Sequence, residues 1–280
     1  MPELPEVETV RRSLEPALLG RTIARVSLKR PDIVQGRRTP ADLLSGRRIT
    51  DIQRRGKQLA LIAEDRRAVC IHLGMSGQLL AISHATPLAR NDHVHIQWRL
   101  AEGRNGSSAP AGRLVFRDPR RFGGVWTFPT LDHLLESRWS ALGPDAASLT
   151  TAQLAAALAP SRRPVKALLL DQTAIAGLGN IYADEALHAA RIRPDRPSHT
   201  ITPEETARLT KAIRATLAQA IKAGGSTLRD YVDSQGQSGW FQRQHAVYAR
   251  AGQPCRSCAS PLSSGLLAQR TTVWCDVCQQ

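Results

Sequence analysis

Hydrophobic positions follow two different periods along this chain, and the change comes near residue 130. Four apolar residues at the start share helical spacing and predict one amphipathic helix: Val7, Val10, Leu14 and Leu18. From about residue 22 to residue 128, apolar residues form short runs or alternate with polar ones, which is typical of strands. Residues 94–100 alternate strictly, so one face of that strand should be buried. Seven or eight short strands of this kind predict a β-sandwich or a β-barrel.

The second half of the chain is rich in Ala and Leu and has helical periodicity. Helices are predicted near residues 151–159, 164–171, 181–190 and 203–223. The last one has Thr202 as N-cap, Pro203 in its first turn and Glu205 three residues after the cap, which is a capping box. The pattern therefore predicts an α+β multidomain protein. Its expected parts are a β-sandwich domain (1–130), a linker (131–150), a helical domain (151–250) and a small C-terminal module (251–280).

The charge balance of the chain indicates what kind of partner it binds. Among 280 residues there are 38 Lys and Arg against 24 Asp and Glu, a net charge of +14. Such an excess predicts a polyanionic partner whose binding depends on salt. A membrane-surface protein is the competing interpretation, but the sequence has no strongly amphipathic basic helix, no apolar run of membrane-spanning length and no signal peptide. We expect a polyanionic partner, no membrane association and a cytoplasmic location.

Four cysteines near the C-terminus predict a metal site. They form two C-x2-C pairs with 16 residues between them: Cys255, Cys258, Cys275 and Cys278. This spacing is typical of one structural, four-thiolate Zn²⁺ on a ribbon hairpin. Two disulfides would be the alternative, but they conflict with an intracellular location. A site closed by four cysteines has no open ligand position, so the zinc should not be catalytic.

The first residues, Met1-Pro2-Glu3, carry candidate covalent chemistry. If Met1 is removed, Pro2 presents a secondary amine, which can attack an aldehyde carbon and form an iminium ion. The positive end of the first helix would lower the pKa of this amine. Glu3 and Glu6 place two carboxylates beside it for proton transfer. The alternative interpretation is an ordinary acidic start of a helix.

A second candidate site lies at Gly177-Leu178-Gly179-Asn180, between two predicted helices. Glycines permit close approach of the backbone to a ligand, and Asn180 would stand where helix N–H groups favour a phosphate. Asn180 could also be a simple N-cap, and the two interpretations are compatible. On the ribbon hairpin, Arg270 could reach a phosphate, although a lone exposed arginine is commonly just solvated.

The sequence resembles the bacterial formamidopyrimidine-DNA glycosylases over essentially its whole length. The matching segments are residues 1–8, 54–59, 72–77, 118–123, 171–187, 227–232 and 255–278. This resemblance implies an N-terminal catalytic helix with an eight-stranded β-sandwich, a helix–two-turn–helix DNA-binding domain and a zinc ribbon. It also implies a monomer that acts on damaged double-stranded DNA.

The resemblance implies excision of oxidised purines, 8-oxoguanine and formamidopyrimidines, followed by strand cutting. Pro2 would form a Schiff base with the sugar, Glu3 would be the proton donor that opens it, and β,δ-elimination would follow. Lys57 and Arg270 match positions assigned as proton donors for the two eliminations. Because the pKa of arginine is above ~12, we favour phosphate binding for Arg270. Glu6 matches a supporting carboxylate.

A base inside a duplex must be flipped out before such chemistry. Met75, Arg120 and Phe122 match the residues that fill the gap, and Arg120 would also contact the orphaned cytosine. The hydrophobic pattern alone would place Met75 and Phe122 in the core. The loop at 226–244 should cover the extruded base. Further positions match contacts to the DNA backbone: His72, Asn91, Arg162, Arg163, Asn180 and Tyr248.

Some residues depart from the family pattern, and two alternative functions stay open. Asn91 stands where relatives often have histidine, and Trp240 stands where methionine is expected. An endonuclease VIII-like glycosylase for oxidised pyrimidines is one alternative, against which Leu4 argues because that class usually has glycine there. A non-catalytic zinc-ribbon binder of damaged DNA is the other, against which Pro2, Glu3 and Lys57 argue.

Overall fold

The computed structural model describes residues 1–88, 92–101 and 112–280, and these divide into two compact units. The first unit contains Met1–Ser140 and Gly224–Gly239, and the second contains Ala141–Ala223 and Trp240–Gln280. Asn91 and residues 102–111 lie outside the described residues.

The first unit consists of one long helix and two sheets. The helix, α1, spans Leu4–Leu18. Two sheets follow, one with the strand order β1-β7-β8-β6 and one with the order β2-β9-β5-β4-β3. The strands are β1 (Ile23–Leu28), β2 (Val34–Gln35), β3 (Ile49–Arg55), β4 (Gln58–Ala63), β5 (Ala68–His72), β6 (Gln78–Ser83), β7 (Val94–Leu100), β8 (Gly112–Arg117) and β9 (Gly124–Phe128).

One hydrophobic core joins α1 to both sheets. The four apolar residues that predicted α1 are all buried in it, together with side chains from both sheets. The predicted α+β class with a β-sandwich is therefore confirmed. Nine strands are described in this unit rather than eight. One strand that leaves no hydrophobic period in the sequence is β2, which has only two residues and pairs in parallel with β9.

Two further segments complete the first unit. After β9, the short helix α2 (Leu131–Leu134) runs into a π-helical turn at Leu135–Trp139. The segment Gly224–Gly239 packs on the sandwich, where the Ser234 amide donates to Ser13 Oγ (3.1 Å) and the Ser234 carbonyl accepts from Ala81 (2.8 Å). These contacts place the segment in the same unit as the N-terminal helix.

The second unit contains the remaining helices and a small hairpin. The helices lie within one or two residues of the predicted ones: α3 (Thr151–Leu158), α4 (Val165–Leu170), α5 (Asn180–Ala189) and α6 (Pro203–Lys222). The hairpin is formed by β10 (Ser263–Leu267) and β11 (Arg270–Trp274). No helix in the described part of the chain is long and apolar enough to cross a membrane.

The predicted capping box starts α6. Thr202 Oγ1 accepts from the Glu205 amide (3.3 Å), and the Glu205 carboxylate accepts from the Thr202 amide (3.0 Å). Because both bonds satisfy backbone N–H groups that the helix cannot pair, they fix where the helix begins.

Candidate active site

The start of α1 buries the two residues that carry the candidate covalent chemistry. Pro2 is buried and Glu3 is 2% exposed, whereas Met1 is 48% exposed. Glu6 Oε2 accepts from the Glu3 amide (2.8 Å), and Glu6 Oε1 accepts from the Ser226 amide (2.8 Å). Each oxygen of Glu6 thus accepts from a backbone amide. These two bonds connect the first residues of α1 to the segment Gly224–Gly239.

Gly225 makes this connection possible. Its φ is +83°, and a Cβ added there would lie 2.8 Å from Glu6 Oε1, so a side chain would be both strained and in collision. The neighbouring Gly224 carbonyl accepts from the hydroxyl of Tyr231 (3.1 Å). The Tyr231 ring is buried in the core of the sandwich, so it holds the segment next to the start of α1.

The turn between β3 and β4 carries Lys57, which is 8% exposed. Arg54, just before the turn, donates to the Gly56 carbonyl (3.1 Å) and to the carboxylate of Glu8 on α1 (3.0 Å). One guanidinium therefore connects the Lys57 turn to the helix that begins after Pro2. This role of Arg54 and Glu8 could not be predicted from the sequence, because no local pattern shows a bond between residues 46 positions apart.

Glu8 stays ionised in spite of its burial. Burial raises the pKa of its carboxyl, but hydrogen bonds from Arg11, Arg12 and Arg54 outweigh this effect and lower the pKa to about 2. Glu8 is only 8% exposed, so the arginines compensate for the loss of hydration of a charged group.

His72 ends β5 opposite Gln58, the neighbour of Lys57. Burial and the positive charges of Lys57 and Arg138 lower the pKa of His72 to about 4, so its imidazole is neutral near pH 7. Its Nδ1 lies 3.2 Å from the Gly74 amide and accepts from it. In a neutral imidazole the proton is then on Nε2, which makes His72 an uncharged donor.

Three side chains proposed to fill the gap in DNA lie on two neighbouring turns. Met75 is in the turn between β5 and β6, and Arg120 and Phe122 are in the loop between β8 and β9. Met75 is 38% exposed and Phe122 56%, so the burial expected from the hydrophobic pattern alone is wrong. Both residues stand on turns beyond the strand ends. The Arg120 guanidinium lies 4.9 Å from the centre of the Phe122 ring.

In the second unit, Asn180 is the first residue of α5, and Gly179 is its N-cap. The alternative that Asn180 is only an N-cap is therefore wrong. Its Nδ2 donates to the Thr271 carbonyl (2.9 Å). Arg270 is exposed and precedes Thr271 at the start of β11, so the hairpin brings this arginine close to the N-terminus of α5.

A buried ion pair fixes the hairpin on the helices. Lys166 Nζ lies 2.6 Å from the Asp184 carboxylate, and neither side chain is more than 1% exposed. Lys166 also donates to Thr272 Oγ1 (2.7 Å), and Asp184 accepts from the Val273 amide (3.2 Å). Burial raises the pKa of Asp184 to about 6, although Lys166 opposes the rise. This pair could not be predicted from the sequence, because charged residues on helices commonly face solvent.

Other predicted contact residues lie on the same unit. The amide of Tyr248 donates to Glu185 (2.8 Å), which also accepts from the amides of the two residues before Tyr248.

Arg162 and Arg163 are both exposed, but Arg163 pairs with Asp171 (2.9 Å). Trp240, the departure noted in the sequence, is 55% exposed and lies under the Arg243 guanidinium at 4.3 Å.

The four C-terminal cysteines form a candidate metal centre. Their Sγ atoms all lie within 4.8 Å of one another, with Cys258–Cys275 at 3.4 Å and Cys255–Cys278 at 3.9 Å. A tetrahedral ion with Zn–S bonds of ~2.3 Å separates its sulfurs by ~3.8 Å, so the donor set fits. His188 Nε2 lies 3.5 Å from Cys255 Sγ and can support this ligand from α5.

Comparison with known proteins decides which family uses this arrangement. The model of the formamidopyrimidine-DNA glycosylase N-terminal domain matches residues 1–125, and that of the formamidopyrimidine-DNA glycosylase H2TH domain matches residues 141–232. The chain belongs to the formamidopyrimidine-DNA glycosylase family. The family consists of DNA-repair glycosylases, and the predicted resemblance is confirmed.

Relatives of this glycosylase family cover the chain from end to end. The formamidopyrimidine-DNA glycosylase of Chloroflexus aurantiacus is 46% identical over all of this chain and 98% of its own. The crystal structure of the MutM (Fpg) protein from Thermus thermophilus has a TM-score of 0.85 at 42% identity, covering 99% of this chain and 98% of its own. The Lactococcus lactis Fpg in complex with DNA containing an abasic site has a TM-score of 0.88 at 32% identity, with 99% of each chain covered.

The two family models cover only some of the proposed site residues. Pro2, Lys57 and Phe122 fall in the glycosylase N-terminal domain, and Asn180 falls in the H2TH domain. Residues 233–280, with Arg270 and the cysteines, lie outside both models. The likeness of that part to the glycosylase family comes from the full-length relatives.

Proposed function

We propose that this protein excises oxidised purines from double-stranded DNA and then cuts the strand at the resulting site. The observation that carries the proposal is the buried Pro2–Glu3 pair at the start of α1 in a chain of this family. Two Lactococcus lactis relatives are seen in complex with DNA that contains Fapy-dG and with DNA that contains an abasic site, which are a substrate and an intermediate of such a reaction.

Pro2 is the proposed nucleophile, once Met1 has been removed. Its amine would attack C1′ of the damaged nucleoside, the glycosidic bond would break, and the released base would take up a proton. Glu3 would protonate the ring oxygen O4′ of the sugar as the C1′–O4′ bond breaks, so that the ring opens and an iminium ion forms between Pro2 and C1′. Met1 is half-exposed while Pro2 is buried, which leaves the initiator residue accessible for removal.

The iminium ion makes the strand cutting possible. It acidifies the neighbouring C2′–H, and loss of this proton expels the 3′ phosphate by β-elimination. A second proton loss then expels the 5′ phosphate by δ-elimination. Lys57 is the proposed proton donor in this part of the reaction. Arg54 connects the turn of Lys57 to α1. This connection fixes the position of the turn relative to the helix that begins after Pro2.

Base extrusion is assigned to the exposed turns of the first unit. Met75 and Phe122 are large, apolar and exposed, the properties of side chains that fill a vacated position in a base stack. Arg120 lies beside Phe122 and presents donors that suit the edge of the orphaned cytosine. We propose that residues 226–244 cover the extruded base.

Phosphate contacts are proposed for a second group of residues. His72 would act as a neutral donor through Nε2, and the N-terminus of α5 at Asn180 would offer helix N–H groups. Arg270, exposed beside Thr271, would bind a phosphate rather than donate a proton, because its pKa is far above neutrality. The same role is proposed for Asn91, Arg162, Arg163 and Tyr248.

The proposal also covers the metal ion, the domains, the oligomeric state and the location of the protein. We propose Zn²⁺ for the four cysteines, because four thiolates in a closed tetrahedron suit this ion and leave no position for a substrate. The ion would supply folding energy to residues 251–280. Residues 1–130 and 151–250 would be the catalytic and DNA-binding domains, joined by the linker at 131–150. A monomer in the bacterial cytoplasm fits a DNA substrate and reduced thiols.

Borohydride trapping tests the covalent chemistry. Incubating the protein with a duplex that contains 8-oxoguanine, in the presence of borohydride, should give a covalent protein–DNA adduct. Pro2→Gly should largely abolish the adduct, and Glu3→Gln should bind the duplex without excising the base. Glu15→Gln, on the same helix but with a more exposed carboxylate, is the matched control. Full trapping by Pro2→Gly, or a mature protein that still carries Met1, would refute the role of Pro2.

A second candidate substrate class follows from one relative. Another Lactococcus lactis Fpg structure is a complex with DNA that contains an oxidised pyrimidine. Duplexes with an oxidised pyrimidine should therefore be tested in parallel. Preference for them would favour the endonuclease VIII-like alternative, and no adduct with either lesion would favour the non-catalytic binder.

A further inference from the structure

The turn that carries Met75 and the loop that carries Arg120 and Phe122 share one buried carboxylate. Ser76 Oγ donates to Asp118 Oδ1 (2.6 Å), and the Gly123 amide donates to Asp118 Oδ2 (2.7 Å). Ser76 Oγ in turn accepts from the Arg120 amide (3.2 Å). Ser76 is 3% exposed and Asp118 1%, so water does not compete for these bonds.

The backbones of the turn and the loop are also in direct contact. Gly74 has a φ of +62°, and a Cβ added there would lie 2.3 Å from the carbonyl carbon of Phe122. A Cβ at Gly123 would lie 2.8 Å from the His72 carbonyl oxygen. The turn and the loop therefore fit together only because both glycines lack side chains, and neither can shift far without disturbing the other.

A further bond holds Asp118 itself in place. Its carbonyl oxygen lies 2.9 Å from Nε2 of His95, a buried residue of β7. The side chain of Asp118 thus faces the two turns while its backbone is attached to the sheet. Asp118 can therefore fix the turn of Met75 and the loop of Phe122 relative to the sheet.

We propose that Asp118 and Ser76 are positioning residues that present Met75, Arg120 and Phe122 to DNA as one preassembled wedge. The proposal rests on the proposed function, in which these three residues fill the position of the extruded nucleotide. Inserting side chains into a base stack requires unstacking, and any ordering of the turns at that moment would add to the barrier. Bonds from Ser76 and Asp118 complete this ordering before DNA binds.

The proposal predicts a loss that depends on the substrate. Extruding a base-paired 8-oxoguanine costs more than extruding an abasic nucleotide, which has no pairing to break. In single-turnover measurements, Ser76→Ala should therefore slow cleavage of an 8-oxoguanine:cytosine duplex by roughly fivefold to tenfold, the effect of one lost hydrogen bond. Cleavage of a duplex with a preformed abasic site should change by less than about twofold. Ser140→Ala, an exposed serine of the same unit, is the matched control.

Two further measurements separate positioning from simple loss of structure. Hydrogen exchange of the Arg120 amide should become faster in Ser76→Ala without DNA, while the core strands keep their protection. A 2-aminopurine placed beside the lesion should show slower unstacking in the variant. Ser76→Thr retains the hydroxyl and should recover most of the rate, and it also serves if Ser76→Ala does not fold.

The outcomes distinguish this proposal from the proposed function. If the wild-type protein cleaves both duplexes and Ser76→Ala slows both equally, or neither, the wedge proposal is wrong and the proposed function stands. If the wild-type protein cleaves neither duplex, the proposed function fails and the wedge proposal fails with it.

Discussion

His72 is held uncharged by its surroundings, and this has a consequence for stability. Its pKa is lowered to about 4 by burial and by the charges of Lys57 and Arg138, whereas an unfolded chain titrates near ~6.5. Between these values the unfolded chain binds more protons than the folded protein. The free energy of unfolding therefore falls as the pH drops from about 6.5 towards 4, by at most about 3 kcal/mol from this group.

Replacing His72 by Gln isolates this contribution. The variant lacks the titration, so any stability advantage of the wild-type protein should shrink or reverse between about pH 7.5 and about pH 4.5. Urea unfolding of both proteins at these pH values measures it, because groups common to both cancel in the difference. A difference that stays constant with pH would show that His72 is not held neutral by the fold.

Glu6 offers a second test at the same scale. Its two oxygens accept from the amides of Glu3 and Ser226 and are almost inaccessible to water. Glu6→Gln keeps one acceptor but turns an NH₂ group towards the other amide, which should cost about 1–3 kcal/mol. Thermal unfolding should show the loss, with faster hydrogen exchange at Ser226. Glu15→Gln should change neither, and equal effects of the two substitutions would contradict this role.

At the scale of elements, the C-terminal hairpin is the part that depends most on its ligand. Its small apolar cluster consists of Val247, Cys255, Leu262, Val273 and Cys275, and two of these five are proposed metal ligands. Without the ion, the remaining apolar surface is too small to hold β10 and β11 together. In β11, Thr272 also accepts from Lys166 and the Val273 amide donates to Asp184, so loss of the hairpin would release Arg270 from its place near α5.

Removal of the metal should therefore unfold one element and leave the sandwich folded. After treatment with a chelator, hydrogen exchange at Thr272 and Val273 should approach that of an unfolded chain, while β4 and β5 stay protected. DNA affinity should fall by at least about tenfold, the effect of losing one or two phosphate contacts. Added Zn²⁺ should restore both. Retained protection at Thr272 would show that Lys166 and Asp184 suffice without the ion.

The elements also show how far the sequence could be interpreted. Helices α1 and α6 were predictable because their apolar spacing and caps are local features. The bonds that organise the site were not, because Ser76 and Asp118 are 42 residues apart and Arg54 and Glu8 are 46 apart. A pattern in a window of one element cannot show such a pairing. For the same reason, hydrophobicity alone placed Phe122 inside, although it stands on a loop.

At the scale of the whole molecule, the net charge of +14 determines how binding should respond to salt. Each phosphate that a cation neutralises releases a counterion, so the logarithm of the binding constant should fall linearly with the logarithm of the salt concentration. For a protein that makes 6–10 phosphate contacts, affinity should drop about 10³-fold to 10⁵-fold between ~50 and ~200 mM salt. Titrations on undamaged duplex DNA measure this component without base extrusion.

Not every cation should contribute equally to this slope, and two neighbours allow a direct comparison. Arg162 and Arg163 are both exposed, but Arg163 already pairs with Asp171 at 2.9 Å. Binding a phosphate through Arg163 would mean giving up or sharing that partner, which offsets part of the gain. Arg162→Ala should therefore reduce the magnitude of the salt slope by about 1, and Arg163→Ala by clearly less. If Arg163→Ala has the larger effect, Asp171 must release it on binding, and Asp171→Asn should then strengthen binding at low salt.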